Sequence, residues 1–298
     1  MSKLFKLGST INHALFRSPG ARKKLRAMGM TVLTFPPYVV HKKKRLVAEG
    51  MDLTKEDRTV LSNVNCRISK FDTMFEGDAT SYFLKGLSGL NVVEAALRHR
   101  PQLQVKAILD LPCGCGRVGR FLAARFPKAK MTACDLQREG VDFCARELGM
   151  KPVYSQPDFD QINFGQKFDL IWCGSLVTHL DGKAIQSLLV CLERNLEQNG
   201  VAIFTAHGDY VAGRLDAGHD YGIGSEAAAK ATEMYRKNGI AFMPYLGNEK
   251  AEQYGFSLTS PAWIREQCGQ IKGWKELHHK PQGWDNHQDV YAYERVRA

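Results

Sequence analysis

The chain has 298 residues, of which 44% are hydrophobic and 24% are charged, and its formal net charge is +10. This length and composition predict one sizeable folded domain with an appendage. No apolar run approaches the roughly 20 residues that cross a bilayer, and the chain starts without the features of a secretory signal. The eight cysteines are scattered, which is typical of a reducing compartment, so we expect a cytoplasmic protein.

The positive charge is concentrated at the N-terminus. Residues 1–50 hold eleven Lys and Arg side chains against the single acid Glu49, which accounts for the whole net charge. Apolar residues alternate with these cations. Three interpretations of this basic arm stay open: a solvated arm, a segment held at an anionic membrane surface, and a segment that binds nucleic acid. The second interpretation would make this a peripheral membrane protein at the inner membrane surface.

The next segment, residues 51–104, has a mostly helical pattern, with its clearest helix over residues 81–98. It leads into an apolar run, Val105 to Leu109, that is typical of a buried parallel strand. Asp110 ends this strand, and a glycine-rich loop and an amphipathic helix follow.

The glycine-rich loop predicts a nucleotide pocket. Glycines let a ligand approach the backbone, and free N–H groups at a helix N-terminus face it, so Gly114 and Gly116 are candidate cofactor-binding residues. The spacing Gly114-x-Gly116-x-x-Gly119 also fits a dinucleotide-binding fingerprint. The glycines alone therefore do not choose between cofactors, and an NAD oxidoreductase stays an alternative.

Two carboxylates favour S-adenosylmethionine (SAM). Asp110, at the start of the loop, suits the cationic amino group of a methionine moiety and would repel a pyrophosphate. Asp135 ends the second strand, and an acid at this position accepts hydrogen bonds from both ribose hydroxyls. Cys113-x-Cys115 lacks a Cys or His partner pair at metal-binding spacing, so we expect no metal site.

Four motifs in chain order resemble those of the class I SAM-dependent methyltransferases. They are Asp110-Leu-Pro-Cys-Gly-Cys-Gly116, Ala133-Cys-Asp135, the strand and turn from Phe168 to His179, and the helix, turn and strand from Leu192 to Phe204. The resemblance covers roughly residues 75–298. Pro112 departs from it, because it replaces the usual first glycine and lacks an N–H.

This resemblance implies an α/β fold with a doubly wound, Rossmann-like seven-stranded sheet and an N-terminal helical, basic extension. Residues 51–104 would cover the cofactor, and residues 105–298 would form the SAM-binding domain. Strands are predicted near residues 105–111, 129–134, 151–154, 167–173 and 199–206, with a final antiparallel pair at residues 271–279 and 287–296.

The resemblance also implies where the rest of the cofactor binds. Asp158 and Phe159 follow the third strand, where the family places a carboxylate and an apolar residue against adenine, and Asp160 is an equally spaced rival for the acidic role. Cys173 and Gly174, at the end of the fourth strand, would lie beside the methionine portion.

A sulfonium methyl group is already electrophilic, so an enzyme that transfers it to a hydroxyl gains most from alignment and a general base. His179 and His207 follow the fourth and fifth strands, where open α/β sheets bind ligands, and are the candidates; a structural hydrogen-bonding role is the alternative for each. The long segment 207–259 is predicted to be a substrate lid that contains a helix over residues 225–237.

The acceptor is indicated only by resemblance. Motifs such as Trp284-x-x-x-Gln288-Asp289 resemble those of bacterial methyltransferases found with glycosyltransferases, which implies O-methylation of a sugar hydroxyl in a surface glycan or glycolipid. A methyltransferase acting on RNA or another small molecule is one alternative. A non-catalytic, SAM-binding, membrane-docked protein is another.

Overall fold

The computed structural model describes residues 36–50, 52–247 and 254–296. Its strands are β1 (Ala107–Asp110), β2 (Lys130–Asp135), β3 (Lys151–Tyr154), β4 (Phe168–Cys173), β5 (Leu196–Ala206), β6 (Ile240–Pro244), β7 (Gly255–Thr259), β8 (Trp274–Trp284) and β9 (Gln288–Arg295). Seven of them form one sheet in the order β3-β2-β1-β4-β5-β9-β8, in which β9 runs antiparallel to both neighbours. The predicted doubly wound, seven-stranded sheet is confirmed, including its C-terminal antiparallel pair.

The helices are α1 (Pro36–Glu49), α2 (Lys55–Asn63), α3 (Ala79–Leu97), α4 (Gly119–Arg125), α5 (Arg138–Leu148), α6 (Gly182–Arg194), α7 (Asp209–Asp216), α8 (Ser225–Asn238) and α9 (Pro261–Gly269). Several begin at side chains that accept a hydrogen bond from the first turn. Thr54 and Asp57 form a reciprocal capping box at α2, and Asp181 accepts the Ala184 N–H at α6.

Helices cover both faces of the sheet because consecutive strand residues point to opposite sides. Ile108 packs into the core formed with α3, α4 and α5, whereas its neighbour Leu109 packs into the core formed with α6 and α9. The result is a three-layer sandwich, in which the long apolar strands predicted from the sequence lie buried between the helices.

Helix α1 divides the predicted basic arm of residues 1–50. Val39 and Leu46 are buried in the core that also contains α2 and α3, and the Lys43 ammonium donates to the carbonyls of Ser62 and Val64, each at 3.0 Å. Residues 36–49 are thus packed against the rest of the protein. Residues 1–35, which carry seven of the eleven cations, lie outside the described residues.

No helix in the described ranges is long and apolar enough to span a membrane.

A small unit, here named the cap, is inserted between β5 and α9. It consists of α7, α8 and the antiparallel hairpin of β6 and β7, with its own apolar core. The predicted helix over residues 225–237 corresponds to α8, but the hairpin was not predicted. The available signal was the short continuous apolar run of β6, Ile240 to Pro244, which is compatible with a buried strand.

The strand register brings the site residues to one edge of the sheet. Asp110 lies opposite Ala133 of β2 on one side and Trp172 of β4 on the other. The segments that follow β1, β2, β4 and β5 therefore emerge side by side, as ligand-binding loops do in open α/β sheets.

Candidate active site

A cavity of about 550 Å³ opens at this edge of the sheet. Six predicted site residues line it: Asp110, Gly114, Asp135, Phe159, Gly174 and His179. Four predicted site residues are not among its lining residues: Gly116, Asp158, Cys173 and His207. The segment before α3 also contributes, through Asp72, Thr73 and Met74. Both the predicted nucleotide loop and the predicted covering segment thus border one space.

The two loop glycines have different surroundings. Gly114 adopts φ +50° and has no atom within 4 Å of the position a Cβ would take, so its backbone is open to a ligand. Gly116 adopts φ +71°, but a Cβ there would lie 2.5 Å from Leu148 Cδ1 and 3.1 Å from Cys144 Sγ. Gly116 is therefore needed for loop conformation and close packing against α5, and its direct contact with the cofactor stays a prediction.

The Asp110 carboxyl is buried, and its Oδ2 has no hydrogen-bond partner. Burial and the nearby charge of Asp135 raise the pKa of Asp110 well above its usual value, although the Gly119 N–H partly opposes this shift. An unpartnered buried acceptor beside a cavity calls for a donor, and a ligand ammonium would supply one. The residues present therefore fit the amino-acid end of SAM.

Asp135 faces the same space and is already oriented. Its Oδ2 accepts the Gly114 N–H at 2.8 Å and its Oδ1 accepts the Gln137 N–H at 2.9 Å. Each carboxylate oxygen has more than one lone pair, so both can still accept from a ligand diol. The carboxylate is thus held where the sequence predicts ribose recognition.

Arg120, which sequence reasoning missed, holds the loop in place. Its guanidinium is buried and donates to the carbonyls of Asn65, Arg67, Cys115 and Gly116 and to the Tyr82 hydroxyl. It therefore ties the covering segment to the glycine loop through a single charge. Its position as the second residue of α4, next to the loop, was the available signal.

The two carboxylates predicted to contact adenine, Asp158 and Asp160, form bonds with other side chains and with the backbone. Asp158 accepts the Asp160 N–H at 2.9 Å and the Gln161 side-chain amide at 3.1 Å, which caps a short 3₁₀ turn. Asp160 forms an ion pair with Arg194. Phe159 lines the cavity, whereas Asp158 and Asp160 are not among its lining residues, and the adenine contacts stay a prediction.

After β4, Cys173 is fully buried and Gly174 borders the cavity. The next residue, Ser175, has φ +61°, a conformation that non-glycine residues rarely adopt. Its N–H donates to Thr205 Oγ1 at 2.8 Å, and its Oγ accepts from Gln288 Nε2 at 2.9 Å. Neighbouring strands thus fix this turn, and such over-determined backbone is typical of functional sites.

His179 lies at the end of the turn after β4 and reaches the cap. Its Nδ1 lies 2.7 Å from Tyr245 Oη and 3.2 Å from the Gly255 carbonyl oxygen, and its ring stacks on Tyr254 at 5.0 Å. The Gly255 carbonyl oxygen only accepts, so it favours the tautomer with the proton on Nδ1 and a lone pair on Nε2, whereas the nearer Tyr245 hydroxyl can pair with either tautomer. Burial lowers the pKa of His179, so the imidazole is neutral at physiological pH.

His207 has a similar bond but different surroundings. Its Nδ1 donates to the Ser257 carbonyl at 3.2 Å, two residues along β7 from the carbonyl that His179 contacts. Burial, helped by the nearby His287 and His179, lowers the pKa of His207 to about 3. The two histidines therefore contact β7 at its first and middle residues, and His179 also faces the cavity.

Comparison with known proteins gives a consistent picture. Residues 108–200 match a family described as a methyltransferase domain. The ubiquinone biosynthesis O-methyltransferase of Rickettsia canadensis is 25% identical over 117 residues, which is 38% of this chain and 48% of that enzyme. A malonyl-[acyl-carrier protein] O-methyltransferase of Anoxybacillus flavithermus is 25% identical over 126 residues, 42% of this chain and 46% of that enzyme. The matches thus span about half the length of these relatives.

Solved structures share the fold. A SAM-dependent methyltransferase from Clostridium acetobutylicum superposes with a TM-score of 0.50 at 17% identity, covering 72% of this chain and 92% of that one. A SAM-bound amino pentose methyltransferase from Micromonospora echinaspora gives a TM-score of 0.50 at 13% identity, covering 77% and 98%. At these sequence identities, the two superpositions show a shared fold and nothing further.

Proposed function

We propose that this chain, which carries a methyltransferase domain whose cofactor is SAM, methylates a hydroxyl oxygen on a sugar of a surface glycan or glycolipid. The observation that carries the hydroxyl part is His179. Its imidazole is neutral, its Nδ1–H is directed at the cap, and its Nε2 makes no hydrogen bond to a described residue beside the cavity.

Side chains of this protein can bind the cofactor and remove the proton from the acceptor hydroxyl. When bound, SAM supplies a methyl group on a positively charged sulfur. Asp110 and Asp135 would hold its two polar ends, and Gly114 lets it approach the backbone. His179 Nε2 would take the hydroxyl proton as the oxygen–carbon bond forms and the carbon–sulfur bond breaks, which leaves a neutral thioether and an imidazolium.

Support for oxygen as the acceptor atom comes from the curated relatives, which are O-methyltransferases by name. Support for a sugar comes from the resemblance in the sequence motifs, and the amino pentose methyltransferase joins this fold to a sugar substrate. Transfer to RNA or to another small molecule, and a non-catalytic SAM-binding role, are the competing proposals.

The test is transfer of labelled methyl from SAM to saccharide, lipid and RNA acceptors, with the product analysed for a methyl ether. We expect ether formation on a saccharide, and we expect SAM but not NAD to raise the melting temperature. Binding of NAD without SAM would contradict the proposed cofactor use, and labelling of RNA alone would contradict the proposed acceptor.

Asp110 makes a further prediction about pH. Because its pKa is raised in the free protein, a ligand ammonium that favours the carboxylate should expel its proton, so the affinity for SAM rises as pH increases toward that pKa. The measurement is the enthalpy of SAM binding at pH 7 in buffers of different ionisation enthalpy. Asp110→Asn should remove the dependence on buffer, and a buffer-independent enthalpy in the wild type would contradict proton release.

The location of the protein stays a prediction. A cytoplasmic enzyme whose residues 1–50 contact an anionic membrane surface would suit a membrane-held acceptor. Since α1 is part of the packed body, such contact would be left to residues 1–35 and to the outward-facing cations of α1, such as Lys44.

A further inference from the structure

A group of cationic and aromatic side chains lies where the cap meets the turn between β8 and β9. Its members, here named the cap cluster, are Tyr210, Arg214, His219, Tyr221 and His287. They come from α7, from the loop before α8 and from the β8–β9 turn. None of them belongs to the cavity lining described above.

The β8–β9 turn connects the cap cluster to the cavity. Trp284, at the start of the turn, lines the cavity, and Gln288, at its end, donates to the cavity residue Ser175. Between them, the His287 ring lies 5.7 Å from the Tyr221 ring in a stacked arrangement. The cap cluster and the cavity are therefore joined through one short turn.

Arg214 has no carboxylate partner in the described part of the chain. Its Nη1 lies 3.5 Å from Tyr210 Oη and its Nη2 lies 3.3 Å from His219 Nδ1. Its Nε is buried and makes no hydrogen bond. A half-buried guanidinium with an unused donor is costly, because its charge has lost water without gaining a counterion.

The neighbouring acids are engaged elsewhere. Asp216 pairs with Arg236, Asp209 accepts from Tyr235 Oη at 2.6 Å, and Asp285 lies 3.8 Å from Lys85 Nζ. The charge of Arg214 is thus not matched by the carboxylates that surround it in sequence and space.

Tyr221 lies beside Arg214. Its hydroxyl oxygen is buried, and its backbone has φ +49°. Burial raises the pKa of this phenol, and the charge of Arg214 together with a hydrogen bond to its side chain lowers it. A guanidinium beside a phenol, with no carboxylate partner in the described residues, matches a ligand that brings acceptors and negative charge.

We propose that the cap cluster binds an anionic group of the methyl acceptor, a carboxylate or a phosphate, through the half-buried guanidinium of Arg214. The rings of Tyr210 and His287 flank this group. The inference rests on the proposed function and narrows it, because it makes the acceptor an acidic saccharide that carries its charge away from the methylated hydroxyl.

The experiment compares charged and neutral acceptors of the same shape. The probes are p-nitrophenyl glucuronide for the carboxylate, glucose 6-phosphate for the phosphate, and p-nitrophenyl glucoside and glucose as their neutral counterparts. Turnover gives KM and kcat, and calorimetry gives binding independently of turnover. The variants are Arg214→Gln, Arg214→Lys and the control Arg236→Gln, which removes an exposed cation from the same cap.

We expect the wild type to favour at least one charged probe over its neutral counterpart, and Arg214→Gln to raise KM and Kd for that probe by roughly 10- to 100-fold. SAM affinity and turnover of the neutral probes should not change, Arg214→Lys should keep part of the preference, and Arg236→Gln should keep all of it. Equal affinity of the wild type for charged and neutral probes, or a preference that survives Arg214→Gln, overturns the proposal. Binding of an acid through Arg214 without methyl transfer to any probe would support the anion site and reject the proposed function.

Discussion

We expect the His179→Ala variant to transfer methyl groups roughly 10²- to 10⁴-fold more slowly than the wild type while it binds SAM as tightly. The reason is that the imidazole contacts the cap and lines the cavity, whereas Asp110, Gly114 and Asp135 would hold the cofactor. The measurements are kcat on a saccharide that the wild type methylates and the calorimetric affinity for SAM.

The pH dependence separates a base from a structural residue. A base must be neutral, and burial lowers the pKa of His179 below its usual value near 6.5, so wild-type turnover should be constant above neutral pH and fall as pH drops through that lowered pKa. The variant should lose this fall. His207→Ala is the comparison, because His207 donates a similar bond to β7 but is not a cavity-lining residue. Full activity in both variants would eliminate histidine base catalysis.

The second large effect is expected at Asp135. Asp135→Ala removes the carboxylate that would accept two ribose hydroxyls, and such charge-assisted bonds contribute on the order of 2–4 kcal/mol together. This corresponds to a loss of SAM affinity of roughly 30- to 1000-fold. Asp135 also accepts hydrogen bonds from the N–H groups of Gly114 and Gln137, so the alanine variant additionally loses the two bonds that hold the loop.

Asp135→Asn distinguishes the two contributions, since it keeps one acceptor oxygen for the loop and loses the charge. We expect an intermediate loss of affinity for Asn. The control is Asp142→Ala, which removes an exposed carboxylate that bonds Tyr154 Oη outside the cavity and should leave binding unchanged. Calorimetry with unchanged affinity in Asp135→Ala would reject the ribose assignment.

The sequence predicted the parts of the site that are local to one strand and its loop. Asp110 and Asp135 end β1 and β2, Gly114, Gly174 and His179 lie in the segments that follow β1 and β4, and parallel strands bring their carboxyl ends together in any doubly wound sheet. The seven-stranded sheet was implied by the resemblance to the class I methyltransferases, and its buried parallel strands were visible as apolar runs.

The parts that depend on contacts distant in sequence could not be predicted. Gly116 has the spacing of a ligand-binding glycine, but Leu148 and Cys144 occupy the space beside it. Asp158 has the position of an adenine contact, but its carboxylate caps its own 3₁₀ turn and it is not a cavity-lining residue. The partners of His179, Tyr245 and Gly255, are more than 60 residues away and belong to a hairpin that the tyrosine- and glycine-rich sequence concealed.

The hydrogen bonds of Arg120 determine whether the matched methyltransferase domain can be separated from the residues that precede it. The matched methyltransferase domain starts at residue 108, but three of the five acceptors of the guanidinium belong to Asn65, Arg67 and Tyr82. In a fragment or chimera cut at residue 108, the Arg120 guanidinium next to the glycine loop would lose those three acceptors. Loss of the partners of a buried charge strongly destabilises a fold. The cofactor half of this protein is therefore not a transferable module, and any exchange of domains must carry residues 65–82 with it.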